Sequence, residues 1–160
     1  ILFIGPPRGS LGADARERGF VDFFRRQGEA KGLRLVRGNY QRDKARDLTL
    51  ANLRRGRRPF SAVFCVNGQS CVGALQAIHL LGLRVPEDIS LLTFDHMEYP
   101  ARVPVTTVAQ PIEAMARLII GLVVRREQTR RRELLVPPTL VPGESVLDVR
   151  PRGAILTLNP

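Results

Sequence analysis

The strongest constraint on this chain is a repeated switch of hydrophobic period. Short apolar runs at residues 1–4, 33–37, 62–66 and 89–94 alternate with longer stretches whose apolar residues recur every three to four positions. Short runs bounded by turn formers read as buried strands, and the stretches between them read as helices. Strands separated by a helix-length crossover pair in parallel with right-handed connections. The fold class is therefore α/β, a parallel sheet flanked by helices. At 160 residues the chain is long enough to bury the core of one such unit.

Local punctuation agrees with this plan. Gly5-Pro6-Pro7 stops the first run, and Asp14 is expected to cap a helix reaching about residue 31, where Gly32 ends it. Phe20, Phe23, Phe24 and Gln27 share one face of that helix. Gly38-Asn39 closes the second strand. Asp43 is expected to cap a second helix to about residue 55, polar on most sides and so on the surface. A third helix over 69–81, ending on Gly82, is apolar almost all round, which implies contact on both sides. Beyond Val105, residues 106–110 read as a strand, and Pro111 opens a helix as a first-turn proline. Ile112, Met115, Leu118, Ile119, Leu122 and Val123 give that helix a wide apolar face. Residues 140–141 and 145–149 read as short edge strands, and 150–160 as a tail.

Composition removes several functions. The longest apolar run, residues 118–124, has 7 residues with a glycine inside it, against the roughly 20 needed to cross a bilayer. Cys65 and Cys71 form no CxxC pair and are too few for a disulfide framework, so they read as small core residues. His79 and His96 have no cysteine near them in sequence, so no metal site is expected. His96-Met97-Glu98 resembles half of a zinc deaminase signature, but its PCxxC partner is missing. Neither GxxxxGK[ST] nor GxSxG occurs. No catalytic residue and no cofactor is expected. The chain opens on ILFIG, with no visible targeting signal, and reads as the continuation of a longer protein.

Charge is strongly basic, with 25 Lys and Arg against 15 Asp and Glu for a net of +10. Clusters at residues 54–58 and 125–132 could contact phosphates. They also fall where helices are expected to end, with no aromatic residues interleaved, and solvated helix termini are the simpler reading.

In parallel sheets ligands bind outside the carboxyl ends of the strands. That rule gathers the loops at residues 5–12, 38–42, 67–69 and 95–99. They bring Asn67, Asp95 and the ring of Tyr40 to one rim, and Arg16 on the first helix can lean over it. A guanidinium, an amide, a carboxylate and a flat ring suit a polyhydroxylated or carboxylated small molecule. Asn67 could instead cap the third helix, and Tyr40 could be ordinary loop packing.

Several segments carry a family resemblance. ARERGFVDFF (15–24), AVFCVNGQSCVGALQAI (62–78), GLRVPEDISLLTFDH (82–96), TTVAQP (106–111) and LLVPPTLVPGESV (134–146) resemble, in order and spacing, the effector-binding core of LacI/GalR transcriptional regulators. The resemblance implies a type I periplasmic-binding-protein-like fold of two α/β subdomains with an effector in the cleft. Residues 1–107 would be the C-terminal effector subdomain and 108–136 a crossover segment completing the other subdomain. Residues 137–149 would be return strands, and the DNA-binding domain would lie outside this chain. It implies effector contacts at Arg16, Tyr40, Asn67 and Asp95, with a sugar-like effector. It further implies a cytoplasmic homodimer that reads operator DNA through a separate N-terminal domain, with no membrane partner. Val72, Gln76 and His79 are the candidates for the dimer face. The chain departs from the family pattern at Gly68, His96 and Gly143, where an acid, an acid or amide, and an arginine are usual. A periplasmic sugar-uptake receptor shares the fold and is the alternative. A chain cut to this length should leave the helix after Pro111 without cover. Full burial of each of its six large apolar residues would contribute about 2 kcal/mol.

Overall fold

The computed structural model describes residues 1–54, 60–95, 104–124 and 134–148. Six strands form one sheet: β1 (Leu2–Gly5), β2 (Arg34–Arg37), β3 (Ala62–Cys65), β4 (Ser90–Phe94), β5 (Thr106–Ala109) and β6 (Thr139–Val141). Their order is β2-β1-β3-β4-β5-β6. Every pair is parallel except β5–β6, where Val108 faces Leu140 in antiparallel register. The helices are α1 (Leu11–Arg26), α2 (Arg42–Leu53), α3 (Gly68–Leu80) and α4 (Ile112–Val124).

Side-chain alternation along the strands sorts the core into two layers. Leu2, Ile4, Val63, Cys65 and Leu91 face α3 and pack with Cys71, Ala74, Leu75 and Ile78. On the opposite side Phe3 and Phe64 meet Phe20 from α1, with Phe3 stacked on Phe20 at 4.7 Å and Phe64 stacked on Phe94 at 5.2 Å. Helices thus cover both faces, which is why the strands read as continuous apolar runs. Cys65 and Cys71 are free and buried as expected, and burial pushes the Cys65 thiol well up from its ordinary value, helped by the neighbouring Cys71.

Helix boundaries depart from the sequence expectation at α1. Ser10, not Asp14, occupies the N-cap, and Asp14 lies in the first turn. The helix stops at Arg26 because Gly28, at φ +74, takes the left-handed position. The Gly28 N–H donates to the Arg25 carbonyl and Glu29 N–H to the Phe24 carbonyl, the paired bonds of a Schellman ending. Gly32 ends only a 3-10 turn at Ala30–Gly32. Likewise Gln41, not Asp43, is the N-cap of α2.

The second helix is not a simple surface helix. Ala45, Thr49 and Asn52 are buried, and the helix lies so close to α3 that a Cβ on Gly73 would sit 2.0 Å from the Arg42 carbonyl oxygen. This explains the all-round apolar α3: the sheet takes one side and α2 another. It also corrects one expected dimer residue. Val72 is 4% exposed, covered within its own chain, whereas Gln76 and His79 remain accessible.

At the far edge, residues 145–148 form no strand, contrary to expectation. Ser145 is buried and pins this segment with its hydroxyl. The hydroxyl accepts from Thr106 N–H at 2.8 Å and donates to the Leu91 carbonyl at 2.5 Å. A Cβ on Gly143 would lie 2.3 Å from the Pro104 carbonyl oxygen, so the usual arginine has no room here. The strand β5 runs to Ala109, two residues past the expected subdomain boundary at 107. The last helix, α4, has no buried residue, with Ile112 73% and Val123 71% exposed. The uncovered apolar face is as expected.

Candidate functional site

The carboxyl ends of β1 to β5 form one rim, and the local geometry there is unusual. Asn39, Tyr40 and Asp95 are the non-glycine residues with positive φ among the described residues, at 55°, 62° and 63°. All three follow the ends of β2 and β4. Left-handed backbone costs about 1–2 kcal/mol for a residue with a side chain, asparagine and aspartate least. Such strain persists only where surroundings over-determine it, and it clusters at binding sites.

Tight passage explains the turn that carries Tyr40. Gly38 crosses directly over β1, where a Cβ would meet Ile4 at 2.6 Å, and its N–H donates to the Gly5 carbonyl. The following two residues then reverse the chain in the left-handed region. Tyr40 packs its ring against the Phe3–Val66 cluster, and its hydroxyl lies 3.0 Å from the Ser10 hydroxyl at the start of α1. The tyrosine is therefore anchored and half-buried, with part of its ring left at the rim.

Arg16 reaches across the rim from α1. Its guanidinium donates to the Val66 carbonyl at 3.1 Å and to Asp95 Oδ2 at 3.2 Å. It also lies 5.0 Å above the Phe94 ring, so cation–π attraction steadies it. Side chains of Arg16 and Asp95 are 25% and 32% exposed, held in place yet open to a ligand. The other Asp95 oxygen accepts from Gln110 Nε2 at 2.6 Å. The Asp95 N–H donates to the Val108 carbonyl, fixing β4's end to β5. Nearby, Arg37 donates to Glu17 through both terminal guanidinium nitrogens, and its Nη1 also donates to the Pro6 carbonyl. The Glu17 hydrogen bond raises the Arg37 pKa above its ordinary value.

Asn67 is the N-cap of α3, where its Oδ1 accepts from Ser70 N–H at 3.0 Å. Capping thus engages the oxygen, while the amide nitrogen stays available on a half-buried side chain beside Val66. The four residues expected at the rim are brought to it: Arg16 and Asp95 in direct contact, Tyr40 through Ser10 and the Val66 cluster, Asn67 next to the carbonyl that holds Arg16. Sequence reasoning missed Gln110, Ser10 and Phe94. The signal for Gln110 was present, because β5 lies beside β4 and its end must join the same rim.

The rim offers, among the described residues, a charged donor fork, an acceptor carboxylate and amides. Among the described residues no group of three metal-ligating side chains occurs, and no helix is long and apolar enough to cross a membrane. His96 and most of the arginine clusters lie outside the described residues. Arg54 is described, and it is the C-cap of α2. On the other side of the sheet, Arg46, Gln76, His79 and Leu80 line an open depression of about 470 Å³.

A family model described as periplasmic binding protein-like domain matches residues 1–146. The ribose operon repressor of Haemophilus influenzae is 33% identical over 103 residues, covering 61% of this chain and 31% of that protein. The HTH-type transcriptional repressor PurR of Erwinia tasmaniensis is 33% identical over 122 residues, covering 71% and 35%. Among solved structures, the lac repressor dimer bound to operator and the anti-inducer ONPF is similar with a TM-score of 0.77 and 26% identity. That match covers 92% of this chain and 52% of the other. The chain spans about a third of the length of the curated relatives it matches.

Proposed function

Because the chain belongs to the periplasmic-binding-protein-like domain family, in its LacI/GalR branch, we propose that it is the effector-binding and dimerisation region of a transcriptional regulator. A small polyhydroxylated molecule, most simply a sugar or sugar derivative, binds at the rim. Arg16 and Asp95 grip its hydroxyl or carboxyl groups, the Asn67 amide donates to it, and the Tyr40 ring lies against its flat face. The observation that carries this reading is the Arg16–Asp95 contact at the strand ends, which joins groups 79 residues apart. The relatives matched here are repressors, which favours a regulator over an enzyme or an uptake receptor.

The uncovered face of α4 supports a second subdomain that closes over the rim. In that arrangement residues 108–136 cross over and pack into the other subdomain, and the ligand sits between the two. Closure changes the relation of the subdomains and so the spacing of DNA-binding heads carried elsewhere in the protein. Gln76 and His79 are the accessible candidates for a dimer contact. The test is a thermal-shift and calorimetric screen of the full-length protein against sugars, sugar phosphates and purines. A ligand that stabilises the protein and loses at least tenfold affinity in both Asp95→Ala and Arg16→Ala is expected. A ligand whose affinity both variants preserve within twofold sinks the site.

A further inference from the structure

We propose that Gln110 is a positioning residue that holds Asp95 in place and ties the rim to the segment leading out of the sheet. An ionised carboxylate only accepts hydrogen bonds, so the Gln110 group 2.6 Å from Asp95 Oδ1 must be its NH2. That fixes the amide orientation. Asp95 is then divided between two elements, Oδ2 held by Arg16 from α1 and Oδ1 by Gln110 from the end of β5. The residue directly after Gln110 is Pro111, and the Gln110 carbonyl accepts from Ile112 N–H at 2.9 Å, the first residue of α4. Because α4 buries none of its residues within this chain, its start is steered by this junction rather than by packing of its own. A ligand hydroxyl that donates to Asp95 Oδ1 competes with the Gln110 amide, so occupancy of the rim loosens the point from which α4 departs.

The ligand part of this inference rests on the effector reading, but the mechanical link does not, and the experiment separates them. Rapid-mixing hydrogen exchange on the chain without ligand reads the amides of Asp95 and residues 112–115. Gln110→Leu is expected to speed exchange roughly fivefold, the loss of one solvent-exposed charge-assisted bond, and Asp95→Gly (glycine accepts the positive φ there), which gives up the Arg16 bond as well, at least as much. The double variant should be no faster than Asp95→Gly alone. In Gln110→Glu, corrected for intrinsic exchange, protection should fail at neutral pH and return in the carboxylate range, where the two acids share a proton beside Arg16. A purely local structural role would not give that return. Additive effects in the double variant, or a change below 1.5-fold in Gln110→Leu, overturn the link. If no sugar or purine binds the protein, the effector reading fails while the exchange result still decides this one.

Discussion

Adding one methyl group at Gly73 should unfold the chain more readily than any surface change of the same size. Its Cβ would stand 2.0 Å from the Arg42 carbonyl oxygen, a full ångström inside the 3.0 Å limit that Cβ atoms respect, and 2.9 Å from the Arg46 nitrogen. Both contacts are backbone, so no side chain can rotate away and α2 must lift from α3. A gap of that size forfeits a quarter to a half of the dispersion attraction across it, here around Ala45, Thr49 and Asn52. Strain and lost packing together cost about 3 kcal/mol, offset by up to about 1 kcal/mol of helix propensity. The net loss is about 2 kcal/mol, which lowers a urea midpoint by about 1 M for a slope near 2 kcal/mol/M. Gly19→Ala is the internal control, since nothing lies within 4 Å of its Cβ in mid-α1. That change should stabilise by about 0.5–1 kcal/mol. Equal or greater stability in Gly73→Ala than in the unaltered chain would refute the close-approach argument.

Other expectations can be checked with the same material. Ile119→Lys on α4 should leave urea stability within about 0.5 kcal/mol and reduce self-association in light scattering, whereas Leu91→Ala, fully buried, should cost about 2–5 kcal/mol. Asn67→Ala should cost about 1 kcal/mol as a lost cap; Asn67→Asp keeps the cap, so ligand binding lost in both variants with stability lost only in the first assigns a second duty to the amide. Neither cysteine should react with a thiol reagent in the folded chain, and both should react on unfolding, since both are 0% exposed. The raised Cys65 pKa has a definite sign: its stabilising effect is full below the unfolded thiol value near 8.5 and fades above it, as the unfolded chain sheds the proton first. Stability should therefore fall as pH rises above about 8.5, less steeply in Cys65→Ala.

The sheet was legible because burial on both faces writes strands as plain apolar runs, as at Leu2 to Ile4 and Val63 to Cys65. Arg16, Asn67 and Asp95 were legible because strand ends and helix starts must share a rim in a parallel sheet. What stayed hidden depends on distances that sequence does not carry. Gly32 was read as the stop of the first helix, and the Schellman bonds put the stop at Gly28 instead. Val72 looked like an outer residue because nothing in the α2 sequence announces how closely that helix approaches Gly73. The second edge strand failed where Ser145 is pinned against β4 and β5, its hydroxyl on Thr106 and Leu91 and its carbonyl accepting from Leu91 N–H.

The antiparallel pairing of Ala109 with Thr139 brings the exit and the return of one long excursion side by side. The described helix between them, α4, leaves from that doorway as an appendage leaves a bracket. A short two-residue hairpin could bridge the same pair of strands, keeping the sheet while dispensing with the greasy helix and with the hold of Gln110 on Asp95. The chain is thus modular in a practical sense: its sheet and its uncovered helix can be cut apart at one place.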